Sequence, residues 1–205
     1  MISPKEETII DEDGCKVLYI RNFLSSKQES KLMGLLEEVP FRDEIIKMYG
    51  KEIKAPRKTF SFGDKGITYT YARKTEECEI WNKGMISFRD IVFSACKEHG
   101  DSECPFNFVL LNFYKNGNDY IGPHSDNEKD IIPQSMIASL SIGSPRQFNF
   151  YRLGKQTENR KISVTLESGS LLLMAGKTQE LFKHELPKSP NVNEKRYNLT
   201  FRHLQ

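Results

Sequence analysis

The sequence predicts a mainly β (α+β) protein, in which a core of short strands has two helices packed outside it. In the second half of the chain, short apolar segments follow one another closely and are separated by turn residues, a pattern typical of a β-sandwich or barrel. Two segments of the first half place apolar residues at helical spacing instead, as amphipathic helices do. The 205 residues are enough for one domain.

The composition excludes several classes of protein. The longest strongly apolar run is Leu171–Ala175, whereas a bilayer span needs about 20 such residues, so we expect no membrane partner. The first 13 residues are acidic and lack an apolar stretch, so no signal peptide is expected. The four cysteines form no C-x-x-C pair and are interpreted as reduced thiols. We therefore expect a soluble nuclear or cytoplasmic protein that is not secreted, and a monomer.

Charge is unevenly distributed although the net charge is only +2. Residues 51–74 hold 7 basic and 2 acidic side chains, and residues 145–205 hold 11 and 5. Residues 1–50 and 75–144 are acidic overall. Solvated lysines explain each basic segment alone, but two such segments permit an anionic partner such as nucleic acid.

Two helices are predicted. Ser26-Lys27-Gln28-Glu29 has the form of a capping box, and the leucines behind it extend the helix to about Val39. A second helix is predicted over 82–99, with Gly100 as its stop. Its apolar residues keep helical spacing, at Met85, Phe88, Val92 and Ala95.

Strands are predicted by apolar runs between turn signals. Phe106–Tyr114 forms a buried run that ends at the turn-rich residues 115–119. Thr59–Phe62 and Ile67–Tyr71 are predicted to pair as a hairpin around the turn 63–66. The further strands predicted are 136–142, 146–152, 161–166, 170–174 and 196–203.

His124-Ser125-Asp126 is an H-x-D motif in which residues i and i+2 of an extended segment point the same way. A solvated loop histidine is the simple alternative. A metal needs a third ligand, and His184 lies 60 residues further along, after several predicted strands. Together the three residues could form the two-His, one-carboxylate face that suits Fe(II) in oxygenases.

The segment Arg196–Arg202 alternates polar and apolar residues. One face carries the polar residues, and the opposite face is strongly apolar; the polar residues are Arg196, Asn198, Thr200 and Arg202. A half-exposed strand with solvated arginines is one interpretation; in a barrel wall, the arginines would face inward and need anionic partners. A dicarboxylate would satisfy them. Asn112 and Tyr114 form a second polar pair on the strand before the H-x-D motif.

The order Asn112-x-Tyr114, His124-x-Asp126, His184, then Arg196 and Arg202 resembles that of the AlkB family of Fe(II)/2-oxoglutarate dioxygenases, over roughly residues 20–204. The resemblance implies a double-stranded β-helix (jelly-roll) core with supporting N-terminal helices and a nucleotide-recognition hairpin lid. It implies one dioxygenase domain over 1–205, with an N-terminal extension over approximately 1–19, the lid over 45–75 and the core over 106–203.

The resemblance also implies cofactors and ligands. Fe(II) would be held by His124, Asp126 and His184, with 2-oxoglutarate and O2 as cosubstrates. Arg196 would hold the distal carboxylate of 2-oxoglutarate, and Arg202 would lie near its 1-carboxylate. Asn112, Tyr114 and Asn198 would add contacts.

The upstream segment resembles the duplex-DNA-repair members of the family. Tyr49-Gly50-Lys51 precedes Pro56-Arg57-Lys58, and an aromatic at position 49 would fill the gap that a flipped base leaves. Arg57 and the lysines around it would contact phosphates. Tyr69 and Tyr71 resemble base-pocket residues, and an anionic Glu128 would favour a cationic methylated base. A tyrosine covering a loop, ordinary hairpin packing and a solvated acid are the structural alternatives.

These features imply DNA repair by oxidative demethylation of N-alkylated bases such as 1-methyladenine and 3-methylcytosine. The reaction would use Fe(II), 2-oxoglutarate and O2 and release formaldehyde, succinate and CO2. The expected partner is double-stranded DNA carrying alkylated bases. RNA demethylation by the same chemistry is one alternative, and a non-catalytic nucleic-acid-binding module on the same fold is another.

Overall fold

A computed structural model of the chain describes residues 3–48, 51–71, 74–100, 105–154 and 161–205. Its helices are α1 (Ser26–Glu37), α2 (Lys83–Glu98) and α3 (Thr178–Leu181). Its strands are β1 (Lys5–Glu12), β2 (Cys15–Arg21), β3 (Arg42–Met48), β4 (Lys51–Gly63), β5 (Thr68–Tyr71), β6 (Lys74–Glu77), β7 (Glu79–Ile80), β8 (Phe108–Tyr114), β9 (Ile121–His124), β10 (Ile137–Gly143), β11 (Arg146–Arg152), β12 (Lys161–Leu166), β13 (Ser170–Gly176), β14 (Phe182–Leu186) and β15 (Arg196–Arg202).

Two sheets form the body of the protein. In the described part of the chain, the larger sheet has the order β1-β2-β13-β10-β15-β8-β4-β3, with the short β7 beside β4. The smaller sheet has the order β12-β11-β14-β9. Their strands pair antiparallel apart from the β4–β7 pair. This is the predicted jelly-roll, and the mainly β prediction is confirmed.

Strict alternation gives the larger sheet two different faces. In β15, Tyr197, Leu199 and Phe201 belong to the apolar cluster that includes buried residues of α1 and α2. Their neighbours Asn198 and Thr200 line a cleft on the opposite face. Because successive strand residues point to opposite sides, one strand supplies both core and cleft.

Both predicted helices are present, with one change at the first cap. Ser25, rather than Ser26, is the N-cap of α1, and its side chain exchanges hydrogen bonds with Gln28, not Glu29. The capping box therefore lies one residue earlier than predicted. In α2, Asn82 accepts the Met85 amide, as an N-cap should.

The predicted hairpin between Thr59–Phe62 and Ile67–Tyr71 is wrong. The first segment belongs to β4, which pairs with β3 on one edge and β8 on the other. The second segment, β5, pairs with β6 instead. A hydrogen bond from the Thr70 amide to Asp130, at 2.7 Å, attaches β5 to the loop after the H-x-D motif.

The N-terminal residues also join the sheet. β2 pairs with β13 in the larger sheet, and β1 pairs with β2, so much of the predicted extension over 1–19 consists of strands. Cys15, Cys78 and Cys96 are free thiols, whereas Cys104 lies outside the described residues. Among the described helices, none is both long and apolar enough to cross a bilayer.

We expect Gly117→Ala to destabilise the fold. A Cβ at Gly117 would lie 1.7 Å from the backbone oxygen of Ser189, so the loop that Gly117 shares with residues 189–192 must shift. The expected loss is about 2–3 kcal/mol of unfolding free energy, measured by chemical denaturation. Gly34→Ala in α1 is the control, because a Cβ there meets nothing within 4 Å; it should stabilise by about 1 kcal/mol. Equal stabilities for the two variants would contradict this packing.

Candidate active site

A cleft opens between the two sheets. β8, β10, β13 and β15 of the larger sheet and β9, β11 and β14 of the smaller sheet contribute its walls. Its lining residues are Arg57, Tyr69, Leu110, Asn112, Tyr114, Ile121, His124, Asp126, Ser139, Phe148, Met174, His184, Asn198, Thr200 and Arg202. The cleft contains about 500 Å³ of empty space, its open mouth included.

Three potential metal ligands meet in this cleft. His124 ends β9 and is the direct cross-strand partner of His184 in β14, with ring centroids 4.3 Å apart. Asp126 follows in the next loop, and ligand atoms of all three residues lie within 4.8 Å of one another. The H-x-D spacing and the distant histidine therefore converge as the sequence predicted.

Backbone contacts hold these ligands in place. The Nδ1 atom of His124 lies 2.9 Å from the carbonyl oxygen of Gly122, so a proton on Nδ1 leaves Nε2 as the ligand atom. Ser125 points away and donates to the carbonyl of Phe182. The amide of Asp126 donates to the side-chain oxygen of Gln179 in α3. These contacts fix the His124-Ser125-Asp126 motif to the neighbouring backbone and to α3.

A buried ion pair adjoins the ligand set. Arg202 Nη2 lies 2.9 Å from Asp126 Oδ2, and both side chains are 4% exposed. Burial alone would raise the pKa of Asp126, but Arg202 and the two histidines reverse this and hold it well below its usual value. Asp126 is therefore a carboxylate at neutral pH, the form that binds a metal.

His184 is also held in its ligating form. Its burial, together with the nearby His124, lowers the pKa of His184 to about 3 although Asp126 opposes the shift. The imidazole is therefore neutral at physiological pH, and Phe148 stacks on it with centroids 5.3 Å apart. A neutral imidazole beside a carboxylate is a donor set for a divalent transition metal.

The residues predicted to bind 2-oxoglutarate lie on neighbouring strands. Asn112 faces Asn198, and Tyr114 faces Arg196, across the β8–β15 pair. Asn112, Tyr114 and Asn198 line the cleft. Burial raises the pKa of the Tyr114 hydroxyl, which therefore stays protonated and able to donate. This arrangement presents several hydrogen-bond groups beside the metal ligands.

Arg196 is placed more deeply than the other predicted cosubstrate residues. It is 1% exposed, and its terminal nitrogens donate to the Ser144 and Leu166 carbonyls and to the Ser141 hydroxyl. Burial lowers its pKa to about 10, with Tyr114 opposing, so it remains charged at neutral pH. Its Nε has no hydrogen-bond partner in the described structure. Because Arg196 lies this deep, its contact with the distal carboxylate of 2-oxoglutarate stays a prediction.

Three residues were predicted to form the base pocket, and the structure describes the side chains of two of them, Tyr69 and Glu128. Tyr69 lines the cleft and packs against Phe108 in a tilted arrangement, with ring centroids 4.7 Å apart. The Arg202 guanidinium lies 5.4 Å from the ring centre of Tyr69. Glu128 is partly buried, and burial raises its pKa although Arg202 opposes this. Tyr71 belongs to β5, but its side chain lies outside the description. These positions put Tyr69 and Glu128 next to Arg202.

The segment predicted to enter the DNA duplex, residues 49–51, lies largely outside the described residues. Tyr49 and Gly50 lie outside the described residues, and only the backbone of Lys51 is placed, at the start of β4. Arg57 is buried and not a solvated surface residue, and its predicted phosphate contact stays a prediction. It is ion-paired with Glu44 at 2.7 Å.

Sequence reasoning missed several cleft residues. Ser139 and Thr200 contribute hydroxyls that belong to one hydrogen-bond chain with Asn198. The alternation of β15 placed Thr200 on the polar face of the strand, but no role was assigned to it. Phe148 and Met174, which line the cleft beside the ligands, look like ordinary core residues in the sequence. Gln179 carried no signal at all, because α3 was not predicted.

Comparison with known proteins agrees with this geometry. The model of the 2OG-Fe(II) oxygenase superfamily matches residues 16–202, which is most of the chain. The chain belongs to the 2OG-Fe(II) oxygenase superfamily. Membership implies Fe(II), 2-oxoglutarate and O2, and the His124–Asp126–His184 cluster is the corresponding metal site.

Within this superfamily the chain is an AlkB-family member. It is 37% identical to human DNA oxidative demethylase ALKBH2 over 164 residues, covering 78% of this chain and 60% of the relative. It is 30% identical to ALKBH2 of Arabidopsis thaliana, covering 98% and 70%. It is 32% identical to rat alpha-ketoglutarate-dependent dioxygenase alkB homolog 3, covering 96% and 70%.

The similarity covers only part of the length of some relatives, and one solved structure is similar in fold at low sequence identity. The chain spans about three fifths of the length of the mammalian ALKBH2 relatives it matches. Among solved structures, that of OsALKBH1 has a TM-score of 0.66 at 17% identity and covers 96% of this chain and 100% of its own. That likeness concerns the fold.

The residues of the cleft fit both Fe(II) and 2-oxoglutarate. Two histidines and a carboxylate are borderline-to-hard donors that suit Fe(II). Arg202 is buried, yet its Nε and Nη1 atoms have no hydrogen-bond partner in the described structure. Buried guanidinium N–H groups need acceptors, and a carboxylate of 2-oxoglutarate supplies them. Arg202 and the Asn112–Tyr114 pair would hold the cosubstrate beside the ion.

We expect His184→Ala to abolish tight metal binding while the fold is retained. Loss of a partner beyond the ligands already costs about 10–100-fold in affinity, and loss of a ligand should cost more. Titration of the protein with Co(II), followed by visible absorption, measures this. His99→Ala is the matched control, because His99 lies at the end of α2 and contacts Glu6. Unchanged Co(II) affinity in His184→Ala would refute the ligand assignment.

Proposed function

We propose that this chain repairs DNA by oxidative demethylation of N-alkylated bases such as 1-methyladenine and 3-methylcytosine. The observation that carries the proposal is the buried His124–Asp126–His184 cluster with Arg202 ion-paired to its carboxylate. The relatives named DNA oxidative demethylase ALKBH2 supply the substrate class, and the relative named alpha-ketoglutarate-dependent dioxygenase alkB homolog 3 supports the cosubstrate.

The chain's residues have separable roles in this reaction. His124, Asp126 and His184 would hold the metal ion in the cleft. Arg202 keeps Asp126 ionised and offers its remaining N–H groups to the 1-carboxylate of 2-oxoglutarate. Asn112, Tyr114 and Asn198 add hydrogen bonds, and Arg196 provides a deeper positive charge. When bound, Fe(II) with 2-oxoglutarate and O2 supplies the oxidation of the N-methyl group, with release of formaldehyde, succinate and CO2.

Apolar residues limit the access of water. Ile121, Phe148 and Met174 line the cleft beside the ligands. A reactive site enclosed by such groups avoids unproductive reactions with solvent. The methyl group to be removed is itself apolar, so these walls also suit its approach.

Aromatic residues and the carboxyl group of Glu128 support a methylated base as the substrate. Tyr69 lines the cleft and is proposed to contact a flipped base there, and Tyr71 is proposed to stack on that base from β5. Glu128, if ionised, would favour a cationic methylated base over its neutral parent. Tyr49, Gly50 and Lys51 are proposed to enter the duplex at the lesion.

Double-stranded DNA is the proposed partner. Action as a monomer stays a prediction. A nuclear or cytoplasmic location follows from a DNA substrate and stays a prediction.

A turnover panel tests the proposal. We expect formaldehyde and succinate from oligonucleotides carrying 1-methyladenine or 3-methylcytosine, in the presence of Fe(II), 2-oxoglutarate and ascorbate. The unmethylated oligonucleotides are controls and should give neither product above background. Faster turnover of matched methylated RNA would favour the RNA demethylase alternative. Binding of methylated DNA without any succinate would favour a non-catalytic module.

Strand preference has its own test. We expect Tyr49→Ala to lower turnover on duplex DNA at least fivefold more than on single-stranded DNA, because only in a duplex does a flipped base leave a gap to be filled. Tyr49→Phe keeps the aromatic face and should retain duplex activity. Equal losses on both substrates in Tyr49→Ala would remove the case for duplex DNA.

A further inference from the structure

Arg57 belongs to β4, and its buried side chain lines the cleft. Its Nε donates to Asn112 Oδ1 at 2.9 Å, and its Nη2 lies 2.7 Å from Glu44 Oε2. We propose that Arg57 is a positioning residue for 2-oxoglutarate, which orients the Asn112 amide and is itself fixed by Glu44. This inference rests on the proposed function only in taking the cleft as the cosubstrate site.

The chemistry of the hydrogen bond determines how Asn112 is oriented. A guanidinium has donors and no acceptor, so the atom of Asn112 that faces Arg57 must be the amide oxygen. The NH2 group then becomes the part of the amide that can donate into the cleft. An anionic ligand needs donors, not a carbonyl oxygen, at this place. Arg57 thereby selects the amide orientation that suits 2-oxoglutarate.

Glu44 holds the other end of the guanidinium. Its side chain is 15% exposed and that of Arg57 is 5% exposed, so the pair is largely shielded from solvent. The contact is an ion pair in a site of low exposure, where the attraction between opposite charges is stronger than in water. With both ends engaged, Arg57 cannot rotate freely away from Asn112. The carboxylate also compensates the charge of Arg57.

The backbone around Arg57 is equally fixed. The preceding carbonyl, that of Pro56, accepts the amide of Tyr120, and the following residue, Lys58, pairs with Phe113 of β8. Glu44 belongs to β3, which pairs with the outer edge of β4. Arg57 consequently connects the cosubstrate wall to the hairpin that overlaps the predicted lid.

A phosphate contact is the competing role for Arg57. A side chain that is 5% exposed and bonded at both ends would have to give up these partners to reach a backbone phosphate. Lys54 on the same strand is 61% exposed and its partner Asp43 is 42% exposed, so Lys54 can exchange that surface contact for a phosphate without leaving a buried site. The observations therefore favour a role toward the cosubstrate.

The experiment measures 2-oxoglutarate affinity without turnover, by calorimetry on the Mn(II)-loaded protein. We expect Arg57→Gln to raise the dissociation constant about tenfold. Arg57→Lys should raise it similarly, since a single ammonium cannot reproduce the guanidinium fork. Arg152→Gln is the matched control, because Arg152 is also mostly buried and ion-paired, with Glu12 and Asp13, but does not line the cleft. It should leave the affinity unchanged.

Glu44→Ala provides a second variant. We expect a several-fold rise in the 2-oxoglutarate dissociation constant although Glu44 does not line the cleft. The double variant with Arg57→Gln should show no further rise, because the two residues act through one contact. If Arg57→Gln fails to fold, as judged by circular dichroism, Glu44→Ala decides the question.

The outcomes separate this inference from the proposed function. Affinity unchanged in Arg57→Gln or, failing that variant, in Glu44→Ala would overturn the positioning role. Weaker DNA binding with a salt dependence reduced by about one phosphate contact, at unchanged 2-oxoglutarate affinity, would assign Arg57 to phosphate instead. If the unmodified protein with Mn(II) does not bind 2-oxoglutarate, the proposed function itself fails.

Discussion

The ion pair between Arg202 and Asp126 is the constraint on which the candidate active site depends. Transferring either charge into the interior costs several kcal/mol, and only a close, well-oriented partner offsets that cost. Arg202 ends β15 of the larger sheet, and Asp126 follows β9 of the smaller sheet. The pair therefore joins the two sheets at the metal ligands. It also leaves Asp126 ionised and Arg202 charged, so one contact prepares both a metal ligand and a receptor for an anion.

Strand alternation explains how a small domain can carry so many polar groups inside. β15 of the larger sheet gives its apolar residues to the core beside the helices and its polar residues Asn198 and Thr200 to the cleft. Asn112, Asn198 and Thr200 are neighbours across β8 and β15 because these strands pair in a fixed antiparallel register. The helices exclude water from one face, and the smaller sheet covers the other. The polar cluster is stable because both sides of the sheet are protected.

Much of this could be predicted from the sequence, for identifiable reasons. The alternation in Arg196–Arg202 and the H-x-D spacing are local patterns, and His184 was named as the third ligand from its position after several predicted strands. The pairing of Thr59–Phe62 was wrong because the partners of β4 lie far away along the chain, beyond the reach of a local turn signal. Arg57 was assigned to phosphates because it lies in a basic segment. Its partners Glu44 and Asn112 are 13 and 55 residues away, and only the fold shows that they meet.

The pairing of His184 with His124 makes the metal site sensitive to the alignment of two strands. Both imidazoles reach the ion position because β9 and β14 are aligned at this point. The loss or gain of a single amino acid between Phe182 and His184 would turn the imidazole toward the opposite face of the sheet. Chain length in this short stretch is therefore as strictly limited as the identity of the ligands, whereas loops elsewhere can vary in length without that consequence.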